Sequence, residues 1–382
     1  MDGPCNTVKS ILLLMLISMP KVLIVIARLN VGGTSQYIGE LVHGLQKNGY
    51  EVLVATGHVQ GAEVEDSVVK TLPVHRISSL GRKISFIKDF RARKEIKQII
   101  SSFSPDLIYS HTFKAGFLVR TLRNSAPVIH AFHGHLLSEP ELIGWRSRVV
   151  VLLERLVAPR SRVLVTVGKR VAKELLDKGV GKPDQYRSIA PGVRELPLEE
   201  RSEARRALGV EDETRPIVVW MARVTAVKAP QRVAEIARQI PEARFLLAGG
   251  GDLIEEIKKD NPPNLSILGW QPAVQMWSVA DLAISTSENE GMPVALIEAQ
   301  LAGIPVVALD VGSVGEVIEH GKTGYTFDRF DESFIAKVRE LVHSSDDRKH
   351  LGANAKVRAS REFSPKLLIT SHLVLFEEIL GR

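Results

Sequence analysis

Short apolar runs alternate with amphipathic stretches along nearly the whole chain, and that alternation restarts once. Residues 21–27, 52–56, 74–77, 107–110, 128–132 and 162–167 read as short buried strands. Between them a 3.6-residue period predicts helices at 35–48, near 85–102, at 114–123, 146–158 and 168–178. Apolar runs of this length joined by amphipathic helices mean a parallel sheet covered on both faces. The rhythm breaks at Ala190-Pro191-Gly192-Val193 and stays polar to about Arg215. It resumes with strands at 217–221, 243–248, 265–268, 282–286 and 305–309. The matching helices fall at 230–239, 252–258, 272–278, up to Ala302, near 313–319, 332–343, 346–361 and 365–380. The expected fold is α/β, with two tandem doubly wound Rossmann-like domains hinged near residue 190 and facing a cleft. A length of 382 residues suits two such domains.

In open sheets of this kind ligands sit at the carboxyl ends of the strands, so the loops there carry the candidates. The most informative is Ser287-Glu288-Asn289-Glu290-Gly291-Met292-Pro293-Val294-Ala295-Leu296-Ile297-Glu298. Gly291 and Pro293 mark a turn that opens a helix, with Glu290 before it and Glu298 on it. The N–H groups of Gly291, Met292, Val294 and Ala295 then point out of the helix start, where a phosphate is attracted. Arg223 and Lys228 follow the first strand of the second half, and two cations on one such loop can clamp a diphosphate. Gly32-Gly33 and Gly249-Gly250-Gly251 are close-approach loops at other strand ends. Neither is Gly-x-Gly-x-x-Gly, which counts against a dinucleotide fingerprint.

His111, His130, His133 and His135 cluster around two strand ends. No carboxylate stands at ligand spacing beside them, so a hydrogen-bonding role for His133 at the cleft is favoured over a metal. There is no Asp-x-Asp pair, Walker loop, Gly-x-Ser-x-Gly or kinase motif, and no metal or other cofactor is expected. Cys5 is the one cysteine, which excludes a disulfide framework.

The net charge of +6 is unevenly spread. Residues 1–190 hold 27 Lys+Arg against 15 Asp+Glu, and the remainder 23 against 29. The densest run, Arg82, Lys83, Lys88, Arg91, Arg93, Lys94 and Lys97, interleaves with Ile84, Phe86, Ile87, Phe90, Ile96, Ile99 and Ile100. That is the pattern of an amphipathic basic helix, fit for an anionic membrane surface or for packing on its own domain. Nucleic acid is not an expected partner. Residues 1–18 hold an apolar stretch too short to span a bilayer and form an uncertain leader, with Met19 a plausible start.

Taken together, these residues resemble the retaining glycosyltransferases of the GT-B fold, family 4, the large bacterial group that builds cell-surface glycans and glycolipids. The resemblance covers nearly all of residues 20–382, and its most specific part is the Glu-x7-Glu element from Glu290 to Glu298. Arg223 with Lys228, Gly32-Gly33, Gly249 with Gly251, and Gly312, Glu316 and residues 321–324 match further family segments. The resemblance implies that Arg223 and Lys228 hold the donor diphosphate. Glu290 contacts donor-sugar hydroxyls, and Gly291, Met292 and Val294 supply N–H groups. Glu298 binds the ribose, and the base lies near Leu268-Gly269-Trp270. His133 matches a histidine near the reacting sugar. The segment 130–135 also looks like members that act on polyprenyl-diphosphate-linked acceptors.

The resemblance further implies a cytoplasmic enzyme, peripheral on the inner face of the membrane. Its acceptor domain is 19–190 plus a C-terminal helix, about 365–382, that crosses back to it. Its donor domain is 191–364, and its donor is UDP- or GDP-linked. Ala222 and Ala229 depart from the family's usual glycines, and an added methyl at each is expected to tilt the loop. The alternatives are a sugar-nucleotide epimerase of the same fold, a non-catalytic nucleotide-sugar-binding protein, and a glycoside hydrolase using two carboxylates.

Overall fold

The computed structural model describes residues 19–61, 63–81, 85–134 and 145–382. The leader, Arg82, Lys83, Ile84 and His135 lie outside the described residues.

The first half builds a seven-stranded sheet in the order β3-β2-β1-β4-β5-β6-β7. Its strands are β1 (Lys21–Ile26), β2 (Glu51–Thr56), β3 (Val74–Arg76), β4 (Leu107–His111), β5 (Val128–Phe132), β6 (Val163–Thr166) and β7 (Tyr186–Ser188). The helices are α1 (Gly33–Lys47), α2 (Phe86–Phe103), α3 (Phe113–Arg120), α4 (Trp145–Val157) and α5 (Lys169–Asp177). The second half builds a six-stranded sheet in the order β10-β9-β8-β11-β12-β13. Here the strands are β8 (Ile217–Met221), β9 (Arg244–Ala248), β10 (Leu265–Gly269), β11 (Leu282–Ser285), β12 (Val306–Leu309) and β13 (Gly324–Phe327). Helix α6 (Arg201–Ala207) precedes them; α7 (Gln231–Gln239), α8 (Ile254–Lys258), α9 (Ala273–Val279), α10 (Val294–Leu301) and α11 (Val314–Val317) connect them. Helices α12 (Glu332–His343), α13 (Ser345–Glu362) and α14 (Pro365–Leu380) complete the chain.

All the strand pairs within both sheets are parallel, so each sheet needs helices on both faces. That is why central strands read as unbroken apolar runs: Val22 to Ile26 are each 0% exposed. The two-domain α/β expectation is met. The sequence reading passed over β7 and β13, which are edge strands of three and four residues. It also passed over α6, a helix in the polar linker, capped by the Glu200 carboxylate accepting from the N–H groups of Ser202 and Glu203.

The final helix does return to the first half. Pro365 sits in its first turn, the Ser364 hydroxyl caps it, and Gly381 ends it at φ +68. Its Ile369 lies against Gly44 of α1, and Glu378 pairs with Arg187 at 3.3 Å. Its buried anchor is His372. Nδ1–H of that ring donates to the Leu368 carbonyl at 2.8 Å, which leaves the single Nε2 lone pair facing the hydroxyls of Tyr37 and Tyr109 at 3.1 and 3.2 Å.

Burial holds the His372 pKa down at about 4. The unfolded chain takes up this proton first, near pH 6.5, so the stability is whole above that pH and is lost as pH falls toward 4. Stability toward chemical denaturant should therefore fall on acidification from pH 7 to 4.5. His372→Gln should flatten that decline by roughly 3 kcal/mol; an unchanged pH dependence in this variant would contradict the assignment.

Candidate active site

The loops at the carboxyl ends of both sheets meet across the cleft. Helix α10 begins at Val294 with Pro293 as its cap residue, one position later than the sequence implied, and no side chain caps it. The N–H groups of Gly291, Met292, Val294 and Ala295 have no acceptor among the described residues. A short helix start with four unsatisfied donors carries a partial positive charge. Met292 itself is buried in the core, so it can offer backbone rather than side chain.

Lys228 and Glu290 come together directly, Nζ to Oε1 at 2.5 Å, with both side chains largely buried. Lys228 is placed by the turn after β8. The Thr286 hydroxyl bonds the carbonyls of Lys228 and Ala229, each at 3.0 Å, and accepts from the Trp220 indole N–H, also at 3.0 Å. Ala229 adopts the left-handed conformation (φ 45, ψ 53), a strain of about 1–2 kcal/mol for a residue with a Cβ. The loop thus holds the glycine-like backbone despite its added methyl. Arg223 stands on the same loop but is exposed and does not join the Lys228–Glu290 pair. Its backbone lies beside Gly249, whose N–H bonds the Gly269 carbonyl at 2.7 Å. Trp270 is half exposed, and its indole covers Gly250.

From the first half, Gly33 meets the second across the cleft: a Cβ there would lie 2.7 Å from Val294 Cγ2. Gly32 faces open space. A Cβ on Gly291 would lie 2.1 Å from the His133 carbonyl oxygen, so only glycine permits this approach. His133 Nε2 lies 2.8 Å from His111 Nδ1, and the two rings stack. Burial keeps His133 at a pKa of about 4 and holds His111 and His130 well below their ordinary value. No group of histidine, cysteine and carboxylate side chains among the described residues is arranged to hold a metal ion.

Glu298, on α10, is 5% exposed. Burial raises its pKa to about 7, against the opposing hydrogen bonds from the Trp277 indole and the Gln36 side chain. Trp277, Thr286 and Trp220 were not singled out from the sequence; all three are tryptophan or hydroxyl groups whose partners lie far along the chain.

Two family models cover the chain in the same two blocks as the sheets. Residues 32–192 match the model described as "Glycosyl transferase 4-like domain", and residues 201–358 match "Glycosyl transferases group 1". The chain belongs to the family 4 glycosyltransferases of the GT-B fold. Sulfoquinovosyl transferase SQD2 of Arabidopsis thaliana is 24% identical over 358 residues, covering 85% of this chain and 67% of that protein. The UDP-Gal:alpha-D-GlcNAc-diphosphoundecaprenol alpha-1,3-galactosyltransferase of Escherichia coli is 24% identical over 297 residues, 71% of this chain and 74% of that enzyme. Among solved structures, sucrose-phosphate synthase from Thermosynechococcus elongatus superposes with a TM-score of 0.81 at 18% identity, covering 95% of this chain and 99% of that one.

The Glu298 environment makes a signed prediction. A carboxyl whose folded pKa exceeds its unfolded value costs stability as pH rises through the interval between them. Glu298→Gln removes that cost, so its gain in unfolding free energy over the parent should grow between pH 5 and pH 8, reaching about 3 kcal/mol. A gain that is equal at both pH values would refute the raised pKa.

Proposed function

We propose that this glycosyltransferase moves a sugar from a UDP- or GDP-linked donor to a glycan or polyprenyl-diphosphate-linked acceptor, with retention of anomeric configuration, in bacterial cell-surface polysaccharide synthesis. The observation that carries the donor side is Lys228 paired with Glu290 beside the unsatisfied start of α10. An ammonium and free N–H groups at one point suit a diphosphate, and a carboxylate beside them suits sugar hydroxyls.

In this reading residues 191–364 hold the donor. Arg223 swings from solvent onto the diphosphate that Lys228 already addresses. Gly32, Gly33, Gly249 and Gly269 let backbone approach the ligand, Glu298 takes the ribose, and Trp270 flanks the base. The acceptor sits on residues 19–190. As the C1–O bond to the diphosphate breaks, negative charge grows on the leaving oxygens, and Lys228, Arg223 and the helix start stabilise it. The acceptor oxygen bonds C1 on the same face, and its proton passes to a departing phosphate oxygen. Glu290 orients the sugar and is no nucleophile. The cations and helix start take the place of a divalent metal. The E. coli relative's name pairs a UDP-sugar with a diphosphoundecaprenol acceptor, which supports this pairing of substrates.

No described helix is long and apolar enough to cross a membrane. A surface association fits α2 instead. Ala92, Ile96 and Ile99 pack inward, while Phe86, Ile87 and Phe90 are 93%, 70% and 70% exposed. Lys88, Arg91, Lys94 and Lys97 are exposed on the same helix. Such a helix would rest a cytoplasmic enzyme on an anionic leaflet and bring a lipid-linked acceptor to the cleft.

Two measurements test these readings. In a thermal-shift panel of nucleotide sugars, the true donor should raise Tm by mass action. With that donor, Lys228→Ala, Arg223→Ala and Glu290→Gln should each lower kcat/KM by about 100-fold. Near-parental turnover in all three would sink the assignment. For the membrane, Phe86→Ser with Phe90→Ser should weaken binding to vesicles containing anionic lipid at least about tenfold. Equal binding of parent and variant would remove α2 from that role.

A further inference from the structure

Among the described residues, the His133 ring makes one hydrogen bond, between its Nε2 and Nδ1 of His111 at 2.8 Å. A bond between two ring nitrogens needs one N–H and one lone pair, so the pair has two possible proton arrangements when both rings are neutral. Burial, which disfavours charge, keeps them neutral. The two arrangements differ at the far nitrogens. Among the described residues, Nε2 of His111 is buried with no partner, whereas Nδ1 of His133 has no partner and is not one of the buried unpaired atoms.

If His133 donated, His111 would have to carry its own proton on that buried, unpartnered Nε2. A buried N–H without an acceptor is costlier and rarer than a buried lone pair without a donor. If His111 donates from Nδ1, its Nε2 is only an unused lone pair. His133 then accepts at Nε2 and carries its proton on Nδ1. We infer that His111 fixes the tautomer of His133, so that His133 presents an N–H donor, not a basic lone pair, to the cleft.

The backbone around the pair fits a held orientation. Thr112, directly after His111, has φ 66 and ψ 151, a region used almost only by glycine and costing about 1–3 kcal/mol. Tyr109 lies tilted against the His111 ring at 4.3 Å, and Tyr37 meets the His133 ring edge-on at 4.9 Å. The His133 imidazole is thereby held by His111 and Tyr37, and its backbone by the close approach of Gly291 to its carbonyl.

The chemical consequence is specific. A donor at this point can bond a lone pair on a sugar or acceptor oxygen and hold it in place. It cannot take the acceptor's proton with that nitrogen. His111 is thus a positioning residue, and His133 an orienting contact. This rests on the donor-sugar site proposed above only for what the N–H meets; the tautomer itself follows from the protein alone.

The test is a nitrogen-15 NMR spectrum of the full chain labelled at histidine, at pH 7, with the His133 signals assigned by their loss in His133→Gln. The expected result is a protonated Nδ1 and a bare Nε2 on His133. His111→Leu should scramble that pattern and lower kcat about tenfold or more with little change in donor KM. His111→Asn, whose amide N–H can stand where Nδ1–H stood, should restore the pattern and most of the rate. A bare Nδ1 on His133 in the parent protein would overturn the inference, as would an unaltered His133 pattern in His111→Leu. The parent spectrum needs no substrate, and its assignment needs only that His133→Gln keep the other histidine signals in place. Absent turnover on every nucleotide sugar would count against the proposed reaction alone.

Discussion

The two halves of this enzyme meet where neither has a side chain. Gly134, after β5, and Gly291, before α10, bring their backbones together, and a Cβ on Gly291 would lie 2.1 Å from the His133 carbonyl oxygen. A contact this close fixes the distance between the sheets, and other cross-cleft contacts conform to it. Gly33 rests on Val294. Further along, the Glu316 carboxylate accepts the N–H groups of Lys169 and Arg170 at 2.9 and 2.8 Å, which caps α5 from the opposite half. Arg170 also pairs with Asp310. Strand ends of the first sheet and helix starts of the second are thereby set face to face.

Within that frame, the site is built from groups held away from their ordinary protonation. Glu298 is pushed up and His111, His130, His133 and His372 are pushed down, in each case chiefly by burial. The result is a cleft whose imidazoles are neutral at pH 7. Lys228, the exposed Arg223 on the same loop and the start of α10 then remain as its positive features, with Glu290 the anion already balancing the lysine. Such perturbed groups cost stability, and they gather where binding or chemistry is done.

Much of this was legible in the sequence because it is local. Parallel strands buried on both faces must be continuous apolar runs, and helices between them must be amphipathic, so the two α/β blocks and the existence of the last helix could be read directly, while its return to the first half came only from the family resemblance. The Glu290–Glu298 spacing and the turn at Gly291-Met292-Pro293 likewise announce a helix start. What escaped depends on pairing between distant residues. Strands β7 and β13 are too short to show a period and exist because a neighbour offers its edge. Thr286 supports the Lys228 turn from 58 residues away. His372 reads as one polar residue in an apolar helix until Tyr37 and Tyr109 are placed beside it. Glu298 looks like an ordinary helix carboxylate until Trp277 and Gln36 enclose it. Periodicity encodes which face of an element is buried, and says nothing about which partner buries it.

The central claim is that Lys228 and the open start of α10 form a diphosphate grip. Calorimetric titration of the parent and of Lys228→Ala with a nucleoside diphosphate and with the bare nucleoside of the same base tests it most directly. The account predicts that the parent binds the diphosphate far more tightly than the nucleoside, and that Lys228→Ala removes much of this difference while leaving nucleoside affinity intact. An equal preference for the diphosphate in both proteins would contradict it.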